Sequence, residues 1–199
     1  MKSIINIALF VGLFFNITNA HSYSSNPKDF IYEMISEAVE ILSDKDVRIA
    51  EKNEKIRVIA LENVDIDGLG MYTLGNIRKT LDKETKSKYN ELFKEYFLKS
   101  LTSRLTDYSN QKFEVISADQ KSKTLTIVSS KILESSSGPE IKIDWRVYTK
   151  NPEKPLIRDL IVEGLSLART QKEEFSSILS SNNNDINALL KKLEEFTDN

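Results

Sequence analysis

The chain has 199 residues, with 28 basic and 30 acidic side chains, one histidine and no cysteine. A composition that is 40% hydrophobic and 29% charged indicates one globular domain, and it argues against a disordered tail or a membrane bundle. The net charge of −2 argues against binding nucleic acid through a basic face. Without cysteine, and with a single histidine, one chain can form no disulfide, thiolate or multi-histidine metal site, cysteine nucleophile or histidine triad.

The first 20 residues have the pattern of a secretory signal peptide. Lys2 provides a basic start, an apolar run follows over residues 4–15, and the small residues Thr18 and Ala20 precede the expected cleavage point. A retained membrane anchor is the alternative, but spanning a bilayer needs about 20 apolar residues and this run is shorter. We therefore expect cleavage after Ala20 and export of residues 21–199 as a single domain.

Helical periodicity dominates the first half of the exported segment. The predicted helices cover residues 29–42, 46–61, 66–74 and 84–108. Asp65 is a suitable N-cap for the short third helix, and Gly75 is a suitable C-terminal residue for it.

The pattern then changes to a period of two, which predicts strands. The predicted strands cover residues 112–118, 123–133, 140–150 and 155–163. The polar segments 119–122, 135–139 and 151–154 would connect them, and such short connections favour an antiparallel meander. Two further helices, over residues 166–180 and 185–196, close the chain. Helices followed by a run of strands predict an α+β fold.

The helix predicted over residues 84–108 carries a long aromatic face. Phe93, Tyr96, Phe97 and Leu101 recur on it at steps of three and four residues. Packing against the sheet as ordinary core explains this face without any ligand. A gap between helix and sheet, lined by aromatic and aliphatic groups, would instead bind an apolar ligand. The pattern is compatible with both interpretations.

Catalytic signature motifs are absent from the sequence, which leaves carboxylates on the last strand as candidates. Alternation places Asp159 between Ile157 and Ile161 on one face, with Trp145 opposite Asp159. Asp159 or Glu163 could then act as an acid or base in an apolar pocket. We favour the alternative, a structural carboxylate that pairs with an arginine or with the N–H groups of a helix.

Several segments resemble one protein family in their amino-acid sequence and in their order along the chain. They are Val64-Asp65-Ile66-Asp67 leading to Leu74-Gly75, residues 89–97, Ile143-Asp144-Trp145-Arg146-Val147, residues 157–167 and residues 170–175. The most specific part is Asp-Leu-Ile-Val-Glu-Gly-Leu-Ser at residues 159–166. Together they are similar to the MlaC family, also called toluene-tolerance proteins, over nearly all of the exported segment.

The resemblance implies an NTF2-like or cystatin-like fold, in which a curved antiparallel sheet of about four strands is wrapped by helices around an apolar cavity. It also implies a periplasmic, monomeric phospholipid carrier without catalytic residues, metal or cofactor. Such a carrier exchanges lipid with an outer-membrane lipoprotein–porin complex and an inner-membrane ABC transporter that bears an MCE ring. The residues expected to line the cavity are Phe93, Tyr96, Phe97, Leu101, Val115, Trp145, Val147 and Ile161. An enzyme on this fold and a protein-binding module without a ligand remain as alternatives.

Overall fold

The computed structural model describes residues 23–105, 112–134 and 138–198. Within them the helices are α1 Pro27–Ser43, α2 Ile49–Asn63, α3 Ile66–Thr73, α4 Lys83–Leu105, α5 Leu167–Ser181 and α6 Ile186–Asp198, with a 3-10 turn at Ile77–Lys79. The strands are β1 Phe113–Ser122, β2 Leu125–Ile132, β3 Ile141–Tyr148, β4 Leu156–Val162 and β5 Leu165–Ser166. The expected signal segment, and the end of the helix predicted over residues 84–108, lie outside the described residues.

Helix ends follow local capping chemistry. Asn26 accepts hydrogen bonds from the backbone N–H groups of Lys28 and Asp29, and Pro27 occupies the first turn of α1, where its missing N–H is not needed. The Asp65 carboxylate caps α3 by accepting the N–H of Gly68 at 3.0 Å. Gly75 follows α3 with a φ of +59°, a conformation that favours glycine. The predicted roles of Asp65 and Gly75 are confirmed.

All five strands form one curved antiparallel sheet in chain order, which confirms the predicted α+β class and the meander. The prediction of about four strands omitted the two-residue β5. The loop predicted over residues 119–122 is also wrong, because β1 continues to Ser122 and turns at residues 123–124. Most of β1 is exposed at the sheet edge, so its polar side chains resemble a loop in sequence.

A bulge in β4 changes which side chains share a face. Arg146 pairs with Asp159, whereas the next β3 residue, Val147, pairs with Ile157, so Arg158 is an extra residue in β4. Ile157 and Asp159 therefore lie on opposite faces of the sheet. The predicted common face for these two residues was wrong, and so was the predicted Trp145–Asp159 pair, because Trp145 pairs with Leu160.

Buried apolar side chains form two clusters. The helical cluster comprises buried residues from α2 to α6, including Ala60, Leu69, Tyr89, Phe93, Leu98, Phe175, Leu189 and Leu193. The sheet cluster comprises Phe30, Ile31, Met34, Leu42, Ile56, Ile59, Val128, Val147 and Ile157. The aromatic face of α4 thus belongs to the helical cluster, and α4 packs mainly on α3 and α6 rather than on the sheet.

Candidate functional site

The four predicted cavity residues on α4 lie at different places in the interior. Phe93 is 3% exposed, and its ring centroid lies 6.4 Å from that of Phe97 and 6.2 Å from that of Phe175. Tyr96 and Phe97 pack against the same helical cluster. Leu101, one turn further along α4, contacts both the helical cluster and the sheet cluster. Only this member of the α4 set therefore reaches the sheet cluster.

The four predicted residues on strands lie on both faces of the sheet. Val147 is completely buried in the sheet cluster, and Val115 and Trp145 pack against that cluster. The indole N–H of Trp145 donates to the Ser130 hydroxyl at 2.8 Å, which satisfies its polar atom. Ile161 pairs with Asp144 and lies on the opposite face, apart from the other three.

The two clusters meet at Val64 and Leu101, which we call the cluster boundary. Both side chains are partly buried and pack against both clusters. On one side of the boundary lie Phe93 and Phe97, and on the other lie Trp145 and Val147. The structure thus divides the predicted residues between two apolar walls, and Val64 and Leu101 contact both walls.

Val64 also belongs to the junction between α2 and α3, which is attached directly to β4. Val64 forms an isolated parallel bridge with Ile157, and the N–H of Asp65 donates to the Ile157 carbonyl at 2.9 Å. The Arg158 side chain donates from Nε to the Asp65 carboxylate at 2.6 Å. Its guanidinium lies 3.3 Å from the ring centroid of Tyr148, a cation–π contact. The sequence predicts the capping role of Asp65 but not its contact with Arg158, because no local pattern connects it to a residue 93 positions away.

Asp159 is buried and fully engaged with its own surroundings. Its carboxylate accepts the N–H of Ala168 at 3.0 Å and the Ser166 hydroxyl at 2.6 Å, and it lies 3.5 Å from the Arg146 guanidinium. Ala168 stands at the start of α5, where unpaired N–H groups favour a negative charge. These contacts are those of the structural alternative favoured for Asp159.

Glu163, the second candidate carboxylate, lies in the two-residue turn between β4 and β5. Glu163 and Gly164 have φ values of +48° and +82°, as a type I′ hairpin turn requires. The Glu163 carboxylate accepts the N–H of Lys142 near the start of β3, while the Lys142 carbonyl accepts the N–H of Glu163. The side chain therefore extends the β3–β4 ladder, which offsets the unfavourable backbone conformation.

Two open clefts lie away from the cluster boundary. The first, of about 480 Å³, lies between α4, α5 and α6 and includes Tyr96, Phe175 and Phe196. Its Tyr96 hydroxyl donates to Gln171 at 2.8 Å, and burial together with the charge of Glu174 raises the pKa of Tyr96. The second, of about 500 Å³, lies on the sheet face that carries Ile161.

Residues 23–105, 112–134 and 138–198 include no group of three or more His, Asp or Glu side chains placed to hold one metal ion. No helix in the same stretches has the length and hydropathy needed to cross a membrane.

The fold and its two apolar walls define a class of small α+β proteins with a helix-flanked antiparallel sheet. The family model described as MlaC protein matches residues 32–195, and the chain therefore belongs to the MlaC family. This confirms the resemblance seen in the sequence.

A solved structure with the same fold is a phospholipid-binding protein from Ralstonia solanacearum, determined in complex with a phospholipid. It superimposes with a TM-score of 0.71 at 17% sequence identity, and the match covers 90% of this chain and 98% of that one. No curated protein sequence matches the chain significantly.

Proposed function

We propose that this protein is a periplasmic phospholipid carrier that holds acyl chains between its helical and sheet clusters. Membership of the MlaC family and the phospholipid bound to the structural neighbour support this proposal. The observation in this chain that carries it is the division of the apolar interior into two walls that meet at Val64 and Leu101.

The cost of moving lipid through water explains why a carrier needs such walls. Burying one methylene group is worth about 0.8 kcal/mol, so two chains of roughly fifteen carbons represent about 24 kcal/mol. Hydrogen bonds to a headgroup contribute too little to offset that cost. An apolar slot with the length of an acyl chain is therefore the essential part of the site.

The slot that we propose opens at the cluster boundary. Separating the two walls exposes Phe97 and Leu101 on the α4 side, and Val115, Trp145 and Val147 on the sheet side. The phospholipid headgroup stays near solvent, where it keeps its hydration. Ile161 lies on the other sheet face and is not part of this slot, and Tyr96 borders the cleft beside α6.

The same proposal includes the location of the carrier and the complexes with which it exchanges lipid. The segment 1–20 directs export and is removed, and the carrier works as a monomer in the periplasm. It exchanges lipid with an outer-membrane lipoprotein–porin complex and with an inner-membrane ABC transporter that bears an MCE ring. The carrier performs no catalysis and needs no cofactor in this role.

Lipid analysis of the native protein tests the proposal. The protein is purified from the periplasm without detergent, extracted with organic solvent and analysed by mass spectrometry. We expect phospholipid in the extract, and a well-folded protein that yields none would contradict the proposal.

A pair of matched variants then tests where the lipid lies. Leu101→Phe adds bulk at the cluster boundary and should lower the lipid content, whereas Ile161→Phe adds similar bulk on the opposite sheet face and should not. Circular dichroism confirms folding of both variants. Equal lipid contents in two folded variants would argue against the proposed slot.

A further inference from the structure

The strand β4 is attached to the helices through two adjacent residues that point in different directions. Arg158 contacts Asp65 at the start of α3, and Asp159 contacts Ser166 and Ala168 at the start of α5. Both contacts use a carboxylate at a helix N-terminus, but their surroundings differ. This difference indicates which attachment opens more readily.

The contact between Asp159 and the start of α5 is the more stable of the two attachments. Its side chain is 3% exposed and has three partners, of which Ser166 and Ala168 follow within nine residues along the chain. Because these partners follow directly from the β4–β5 hairpin, they move together with β4. Breaking the contact would also leave a buried charge without partners, which is costly.

The attachment through Arg158 is more accessible. The Arg158 side chain is 42% exposed and that of Asp65 17% exposed, so water can replace each partner as they separate. At the same junction the Asp65 N–H donates to the Ile157 carbonyl, and Val64 forms a bridge with Ile157. Val64 belongs to the cluster boundary, so a change in the spacing of the two walls displaces this junction relative to β4.

We propose that the Asp65–Arg158 ion pair is a latch that slows the release of bound lipid by holding the α2–α3 junction against β4. This inference rests on the proposed function, because it concerns the rate at which the same slot opens. Asp65 and Arg158 are positioning residues here: they hold the two walls together and do not contact the acyl chains. Tyr148 supports the latch by holding the guanidinium over its ring.

Two substitutions separate the ion pair from the other roles of these residues. Asp65→Asn removes the charge but keeps an oxygen that accepts the Gly68 N–H, since asparagine is also a good N-cap. Arg158→Gln removes the charge from the other side. Lys88→Gln is the matched control, because Lys88 and Glu194 form a 2.8 Å ion pair between α4 and α6, two helices that both contribute to the helical cluster.

Release is measured with fluorescently labelled phosphatidylglycerol bound to each full-length mature protein. Transfer to unlabelled phosphatidylcholine vesicles should be about two- to fivefold faster for Asp65→Asn and Arg158→Gln, the range for loss of one partly exposed ion pair. Lys88→Gln should release lipid at the wild-type rate. Arg158→Lys, which keeps the charge, should recover part of the slow release.

Salt provides a readout that a purely structural role would not change. Raising the salt concentration screens the ion pair, so wild-type release should become faster while release from Asp65→Asn should change little. Equal release rates for wild type, Asp65→Asn and Arg158→Gln, with phospholipid still bound, would overturn the latch alone. A folded wild-type protein that carries no phospholipid would overturn the proposed function as well.

Discussion

The backbone N–H of Ala168 donates to the Asp159 carboxylate at 3.0 Å, joining the first turn of α5 to the central part of β4. The Ser166 hydroxyl donates to the other oxygen of the same carboxylate. A buried aspartate with these partners stabilises the junction between strand and helix. This arrangement gives Asp159 a structural role that can be tested separately from lipid binding.

Replacement of Asp159 by asparagine should therefore lower stability. It removes a negative charge that faces a helix N-terminus and Arg146, and the amide group cannot accept all of the same hydrogen bonds. We expect a loss of about 1–3 kcal/mol in the free energy of unfolding, measured by urea denaturation. Asp144→Asn, on the neighbouring strand, is the control and should cost less. An unchanged free energy of unfolding for Asp159→Asn would contradict this role.

Trp145 offers a direct test of the position of the acyl chains. It is the single tryptophan of the chain, and its ring packs against the sheet cluster. If acyl chains enter beside it, phospholipids brominated along their chains should quench its fluorescence strongly, whereas the unbrominated lipid should not. Quenching that is the same for Leu101→Phe and wild type at equal lipid concentration would place the chains elsewhere.

Gly70 is required by a close approach between α3 and α4. A Cβ atom at this position would lie 2.9 Å from Cδ1 of Phe93, whose ring is buried among other side chains. Although alanine is the better helix former, the clash should dominate, and Gly70→Ala should destabilise the protein by about 1–3 kcal/mol. Thermal unfolding measures the effect. Gly138→Ala is the control, because a Cβ there meets no atom within 4 Å.

Asp82 should make the stability depend on pH in the acidic range. Hydrogen bonds from the backbone N–H and side chain of Thr85 at the start of α4 lower the pKa of Asp82. Since the folded state holds the charged form more tightly than the unfolded state, the stabilisation is present above about pH 4 and is lost as the pH falls through the folded pKa. Asp82→Asn keeps an N-cap without a titrating group. The difference in unfolding midpoint between the two proteins should shrink below pH 4.

Local features of the fold could be predicted from the sequence, because their causes are local. Asp65 and Gly75 mark the ends of α3 through hydrogen bonds and backbone conformations that involve a few neighbouring residues. The order of helices and strands follows from periodicity in the same way. The resemblance of residues 157–167 to the MlaC family then predicted the fold class.

Features that depend on distant residues could not be predicted. Periodicity identified Phe93 and Tyr96 as buried or partly buried, but it does not specify whether they face the sheet or other helices. The alternation of apolar and polar residues in β4 does not indicate the bulge at Arg158. This bulge places Asp159 and Ile157 on opposite faces of the sheet. The partner of Arg158 lies on a helix cap far away in sequence.

The helix α2 contributes Ala60 to one apolar cluster and Ile56 and Ile59 to the other. In the proposed carrier, a guest molecule that enters along the seam between the two clusters would leave most packing inside each cluster undisturbed. Making room for hydrocarbon would then require the loss of few native contacts, and the empty and loaded forms would both stay folded. Storage of this kind would depend on how the interior is partitioned and would need no permanent void.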